Sequence, residues 1–221
     1  MQIDAVILDF GHVLGLPPRE EDFEALRKLS GIEAGAFHKA FWQYRDAYDL
    51  GAFDGPAYWQ RAASDCGASF SREHIAEMIM GDIQLWIHPH PVMLEWSRLL
   101  SQRGVKMAVL SNMPRELGKY LRQSVDWLAP FSHLCFSSEL NMGKPEPAIF
   151  RACLEALGVP APRALFIDDR EVHVAGARSV GLHSVVFHSV EQLQTDLEPL
   201  GVGASLAEAA ARAGWSAHGL N

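Results

Sequence analysis

Three carboxylates, a lysine and a Ser-Asn pair stand where apolar runs end in this chain. Asp9 follows Ala5-Val6-Ile7-Leu8, and the chain turns immediately afterwards at Gly11. Ser111-Asn112 closes the run Val105 to Leu110, Asp168-Asp169 closes Ala164 to Ile167, and Gly143-Lys144-Pro145 precedes a helical segment opening at Pro147. Carboxylates that converge on one crevice repel unless a cation sits among them, and oxygen donors without His or Cys suit a hard divalent ion such as Mg²⁺. Lys144 adds a further positive charge, Ser111 and Asn112 offer short polar side chains, and backbone amides at strand-to-helix turns hold phosphate oxygens. An aspartate nucleophile with a hard cation, a lysine and fixed donors is what phosphoryl transfer requires.

Such residues meet only if parallel strands bring their ends together. Apolar strands Val105 to Leu110, Leu134 to Ser137, Ala164 to Ile167 and Ser184 to Phe187 alternate with amphipathic helices, which implies an α/β fold with a parallel sheet covered on both faces. Ligands of such sheets bind outside the carboxyl ends of the strands, where the residues above lie. Pro147 to Leu157 has proline near its start and Gly158 just past its end, the expected helix asymmetry, with Ile149, Phe150, Cys153, Leu154 and Leu157 on one face. Between Pro17 and Pro91 the periodicity is helical throughout, so residues 17–90 read as an all-helical insert in a core made of 1–16 and 91–221. Pro17-Pro18 and His88-Pro89-His90-Pro91 bracket it as plausible hinges. Alanine-rich 204–213 reads as a short helix.

At 221 residues, the chain can bury a real core. Its 19 basic against 27 acidic residues give a formal charge of -8, which argues against nucleic acid as a partner. No apolar stretch approaches the roughly 20 residues that cross a bilayer, and no signal-peptide pattern is present, so a cytoplasmic protein with no membrane partner is expected. Cys66, Cys135 and Cys153 are too few and scattered for a disulfide framework and read as core residues.

Four motifs in order, Asp9-Phe10-Gly11-His12-Val13-Leu14, Leu110-Ser111-Asn112, Gly143-Lys144-Pro145-Glu146-Pro147 and Phe166-Ile167-Asp168-Asp169, resemble those of the haloacid dehalogenase superfamily. The tract continuing from Asp169 through His173 to Gly181 is similar to the family's last motif and helix. The nearest branch looks like the sugar-phosphatase-like group, similar also to the phosphatase domain of soluble epoxide hydrolase. The resemblance implies a Rossmann-like core with a helical cap, and a Mg²⁺-dependent phosphatase acting on a small phosphorylated metabolite, a sugar phosphate being one candidate. It implies that Asp9 attacks phosphorus to form an aspartyl phosphate. Asp9, Asp168 and the Gly11 carbonyl would hold Mg²⁺, Asp169 would support the metal through water or Lys144, and Ser111, Asn112 and Lys144 would hold the phosphoryl group.

Gly11 departs from the family pattern, in which most phosphatases place there an aspartate that protonates the leaving group. General acid-base catalysis contributes typically about 10² to 10⁴-fold, so its loss slows turnover without abolishing it. His12 could relay protons in its stead, since an imidazole titrates near neutral pH; the alternative is that His12 only fits the turn. Without an acid, aryl or anomeric phosphates should be favoured over alkyl ones. A 2-haloacid dehalogenase and a weakly active binding protein remain alternatives, although the adjacent Asp168 and Asp169 oppose a carboxylate substrate.

Other candidates read more simply as structure. The two histidines of His88 to Pro91 lack further ligands close in sequence. Trp42, Tyr44, Tyr48 and Trp59 could stack on a substrate, yet their helical spacing suits core. Arg19 to Asp22 reads as a solvated first turn, and Arg115 and Arg170 as surface ion pairs that could alternatively reach an anion.

Overall fold

The computed structural model describes residues 2–215. Ala5–Leu8 forms β1, whose four residues are all buried and divide between the two faces of the sheet. Val6 and Leu8 enter one hydrophobic layer, Ala5 and Ile7 the other, as the two-residue period of a strand demands. Four further strands, β2 (Lys106–Ser111), β3 (His133–Phe136), β4 (Ala164–Asp168) and β5 (His183–Val186), complete a parallel sheet of order β3-β2-β1-β4-β5. The strands predicted from apolar runs are present to within about a residue at each end. β1 lies between β2 and β4, pairing Leu8 with Val109 and with Ile167. The residues just beyond these strands, Asp9, Ser111-Asn112 and Asp168-Asp169, are therefore neighbours.

Helices follow in chain order: α1 (Glu20–Ser30), α2 (Ala34–Gln43), α3 (Arg45–Asp49), α4 (Gly55–Asp65), α5 (Arg72–Trp86), α6 (Pro91–Gln102), α7 (Arg115–Ser124), α8 (Ser137–Leu140), α9 (Pro147–Leu157), α10 (Glu171–Ser179), α11 (Val190–Leu197) and α12 (Gly203–Arg212). On one face α6, α7, α11 and α12 cover Val6, Leu8 and Val109; on the other, α9 and α10 cover Ile7, Ala108 and Phe166. α9 ends as its sequence predicts, with Gly158 left-handed at φ 63°. Cys135 and Cys153 are buried in that second layer, whereas Cys66 is only partly buried, on the rim of the insert.

The insert α1 to α5 has its own core, in which Phe37, Phe41, Tyr48, Tyr58, Trp59 and Met78 are almost wholly buried. Burying each large apolar side chain contributes about 1.5–3 kcal/mol, so this layer is held by its own packing. Beside it Arg45, also buried, lies 2.8 Å from both Asp49 Oδ1 and Asp82 Oδ1. The two connections to the sheet run side by side: Leu16 N donates to His88 O (2.7 Å) and His90 N to Leu14 O (2.8 Å). Facing the sheet, Glu116 of α7 accepts from Gly55 N (2.6 Å) and from Tyr48 Oη (3.1 Å).

Candidate active site

The strand ends and the insert enclose a cleft of about 460 Å³. At its floor, Asp9 is fixed from both sides by backbone: its own N donates to Ile167 O (2.9 Å), and its Oδ1 accepts from Phe10 N (2.6 Å). Lys144 Nζ lies 2.7 Å from Asp9 Oδ1 and 2.5 Å from Asp168 Oδ2, with all three residues buried. Asp9 Oδ2 has no protein partner among the described residues. The opposite oxygen of Asp168 accepts from Arg170 N (2.9 Å), and His173 Nδ1 sits 3.0 and 3.1 Å from the two oxygens.

Burial is the largest influence on each of these groups. It pushes the Asp9 carboxyl up to about 7, with the Lys144 charge working against it and Asp168 with it. Burial also opposes ionisation of Asp168, yet the Lys144 charge and the His173 bond hold that carboxyl well below the usual range. Lys144 resists its own desolvation because two carboxylates flank it, and it stays above the ordinary lysine value. Asp169 is pushed up by partial burial and by its neighbour Asp168.

Ligand atoms of Asp9, Asp168 and His173 all lie within 4.8 Å of one another, a grouping able to enclose a cation, although the Lys144 ammonium already stands against both carboxylates. Asp169 lines the cleft apart from that grouping, with His12 Nδ1 3.7 Å from its Oδ2. Three carboxylates against one ammonium leave two negative charges, which is what a bound divalent cation would neutralise.

Of the residues expected to meet here, Asp9, Gly11, Ser111, Asn112, Lys144 and Asp169 line the cleft, and Asp168 lies just behind Lys144. Asn112 has a structural partner as well as a place in the cleft lining. Its Nδ2 donates to Lys144 O and its Oδ1 accepts from Lys144 N, each at 2.9 Å, so the amide clamps the lysine loop to the end of β2. Glycines on either side hold that loop closely: a Cβ on Gly143 would overlap Leu50 of the insert, and one on Gly176 of α10 would stand 2.5 Å from Pro145 O.

His12, in a left-handed conformation (φ 62°), is among the residues that line the cleft. Gly11 has an ordinary φ of -62°, so the backbone does not require glycine there. Beside it stands Trp86, with ring carbons 3.5 and 3.7 Å from where a Cβ would be. Its Nε1 points to Asp82 Oδ1 (3.3 Å). Tyr48 and Trp59 are core, Tyr44 bonds Asp65, and Trp42 is open to the cleft. Arg115 donates to Ser138 O, and Arg170 lines the cleft. Arg19 pairs with Glu21 and Asp22 in its own turn.

His173 and Trp86 were not singled out from sequence. His173 stands five residues past Asp168 in the first turn of the following helix, a spacing that lets it reach back. For Trp86 no local signal exists, because its partner Gly11 is 75 positions away.

A family model described as haloacid dehalogenase-like hydrolase matches residues 3–181. A phosphoglycolate phosphatase of Rhodospirillum rubrum is 33% identical over 87 residues, covering 39% of this chain and 36% of that protein. Bifunctional epoxide hydrolase 2 of Sus scrofa is 21% identical over 218 residues, covering 90% of this chain and 39% of that protein. A phosphoserine phosphatase of Thermus thermophilus is 34% identical over 85 residues, covering 38% and 34%. The chain therefore spans little more than a third of the length of these relatives. Among solved structures, a HAD family enzyme of Bacteroides thetaiotaomicron in complex with magnesium and inorganic phosphate shares the fold, with a TM-score of 0.67, 22% identity, and coverage of 84% of this chain and 94% of that one. An L-2-haloacid dehalogenase of Xanthobacter autotrophicus shares it at a TM-score of 0.62 and 18% identity, with coverage of 93% and 88%.

Proposed function

Because the chain belongs to the haloacid dehalogenase-like hydrolases, we propose that it is a phosphatase that cleaves a small phosphorylated metabolite through an aspartyl phosphate on Asp9. The observation that carries this reading is the buried Asp9, held by Lys144 on one oxygen and without a protein partner on the other. That free oxygen is the nucleophile. It attacks phosphorus, the new P–O bond forms as the bond to the leaving oxygen breaks, and water then attacks the same phosphorus to release orthophosphate.

The donor set fits Mg²⁺. Asp9 and the Gly11 carbonyl would hold it together with an acid of the Asp168-Asp169 pair, and Asp169 is the better suited because Asp168 is already engaged by Lys144, His173 and Arg170 N. Bound there, Mg²⁺ would neutralise charge on the phosphoryl oxygens and lower the Asp9 carboxyl from the raised value that burial gives it. Lys144 bridges Asp9 and Asp168, offsets their mutual repulsion and offers its ammonium to the phosphoryl group. Ser111, buried at the end of β2 and lining the cleft, contributes a hydroxyl, while Asn112 acts by holding the Lys144 loop. His12, lining the cleft beside Asp169, is the side chain we assign to carry the proton released by water. The insert 17–90 serves as a cap that supplies the wall contacted by the leaving group, over a core of 1–16 and 91–221.

The test is phosphate release across a panel of phosphorylated metabolites with and without Mg²⁺, using Asp9→Asn as the blank. Release that requires both Mg²⁺ and Asp9 is expected. Release that survives in Asp9→Asn, or that ignores chelation, would remove this reading.

A further inference from the structure

Among the described residues, five large apolar side chains are exposed, and three of them meet at the mouth of one cleft. Trp42 is 47% exposed, Leu50 38% and Val172 50%, and all three line the space above Asp9. Single exposed apolar residues are ordinary on a protein surface; a cluster rimming a pocket marks what the pocket receives. Trp42 and Leu50 come from the insert and Val172 from α10, so a group lying between the two layers would touch apolar side chains on both sides.

The polar groups nearby are mostly spent. Arg45 and Asp49 face the cleft but are tied to each other, and Arg45 also to Asp82. That leaves Asp46 on the insert and Arg170 opposite as exposed charged groups of the rim. A carboxylate would meet Asp46 and Asp169 against Arg170, and polar contacts at the rim are left to these groups and His12, whereas the apolar contacts come from both layers. Trp86 adds an independent constraint. Its indole lies 3.5 and 3.7 Å from where a Cβ on Gly11 would stand, so the position that carries no acid has an aromatic ring beside it.

We infer that the physiological substrate is a phosphate monoester of an aromatic alcohol, with its planar body against Trp42 and its oxygen departing as a stabilised phenolate. This rests on the phosphatase reading and narrows it. Asp9 forms its bond to phosphorus as the phosphorus–aryl oxygen bond breaks, and that bond's electron pair leaves on the phenolate. The phenolate takes a proton from solvent, and water attack on the aspartyl phosphate completes hydrolysis to the phenol and orthophosphate. No acid at residue 11 is needed for such a leaving group.

Binding separates this inference from the catalytic one. Asp9→Asn protein in Mg²⁺ is titrated calorimetrically with 2-naphthyl phosphate, glucose 1-phosphate and 2-phosphoglycolate. Aromatic contact with one indole and its apolar neighbours is expected to favour the naphthyl ester by about tenfold or more over both others. Adding Trp42→Ala, an exposed position that should tolerate truncation, is expected to remove most of that preference, and Val172→Ser part of it. Equal or tighter binding of glucose 1-phosphate or phosphoglycolate, no binding of the naphthyl ester, or a preference untouched by Trp42→Ala would each overturn the inference. A naphthyl preference in a protein whose unmutated form releases no phosphate would defeat the phosphatase reading and overturn the substrate inference with it, whereas phosphate release without a naphthyl preference would overturn this inference alone.

Discussion

Replacing Gly176 by alanine adds one methyl group more than a helical turn away from Asp168 and tests whether the position of Lys144 controls the chemistry. The new carbon would stand 2.5 Å from Pro145 O, 3.0 Å from Pro145 Cβ and 3.1 Å from Phe150 Cε2. Real contacts of this type essentially never fall below 3.0 Å, so at least about half an ångström of movement is required. α10 is anchored by Val174 and Ala177, both fully buried, whereas the Lys144 loop hangs on the Asn112 clamp. The loop is therefore the part that yields. Its displacement would draw Nζ away from contacts of 2.7 and 2.5 Å to Asp9 and Asp168. Since a misplacement of about 1 Å can cost about 10²-fold in rate, kcat/KM on an aryl phosphate should fall by about 10- to 100-fold. Overpacking costs about 1–3 kcal/mol, or a melting temperature lower by about 2–12 °C in a chain this size. Trp96→Phe is the control, because it loses the buried Nε1 to Ser205 Oγ bond (2.8 Å) and a comparable amount of stability at a place remote from the cleft. Full activity in folded Gly176→Ala, or an equal loss in Trp96→Phe, would refute the reasoning.

Lys144→Met leaves two buried carboxylates facing each other, so stability should drop by about 3–5 kcal/mol in denaturant melts and turnover by at least about 10²-fold, while stabilisation by Mg²⁺ grows. Metal-free protein should lose stability as pH rises from 5 to 8. Asp9 and Asp49 are both pushed by burial to about 7, so each favours its protonated form when folded; their contribution is whole below the unfolded carboxylate range and lost as pH climbs through 7. Asp168, shifted the other way, contributes fully across that window. Melting curves should accordingly fall with pH, Asp49→Asn should flatten the slope, and Mg²⁺ should add more stability at pH 8 than at pH 5. Gly11→Asp puts a carboxyl at a position whose φ suits any residue and whose Cβ would meet Trp86 only at ordinary contact distance, so it should raise alkyl phosphate turnover more than aryl turnover, as measured by the ratio of their kcat/KM values.

Much of the fold was legible because its signals are local. The apolar run before Asp9 is of the kind a strand buried on both faces shows, and the alternation after Val105 implies a parallel sheet, whose strand ends bring these residues together. Pro147 and Gly158 bound α9 by backbone chemistry alone. What stayed illegible depends on which way a side chain turns or on partners far apart in sequence. Asn112 lines the cleft, but nothing local in the sequence says that its amide also bonds the backbone N and O of Lys144. Asp168 and Asp169 are adjacent and chemically identical, and only the strand's end decides that one turns to Lys144 and the other to His12. Helical spacing assigned the insert's aromatics to core, which holds for Tyr48 and Trp59 and fails for Trp42, because a surface shared by two layers is invisible to the periodicity of one helix.

The most direct measurement is on Asp9 itself. Enzyme mixed with an aryl phosphate and Mg²⁺, quenched in acid within a turnover and reduced with borohydride, should yield a peptide in which residue 9 has become homoserine, the product of reducing an acyl phosphate. No such conversion should occur without substrate or in Asp9→Asn. Phosphate release at full rate with residue 9 unmodified, or a label found on another side chain, would contradict nucleophilic attack by Asp9.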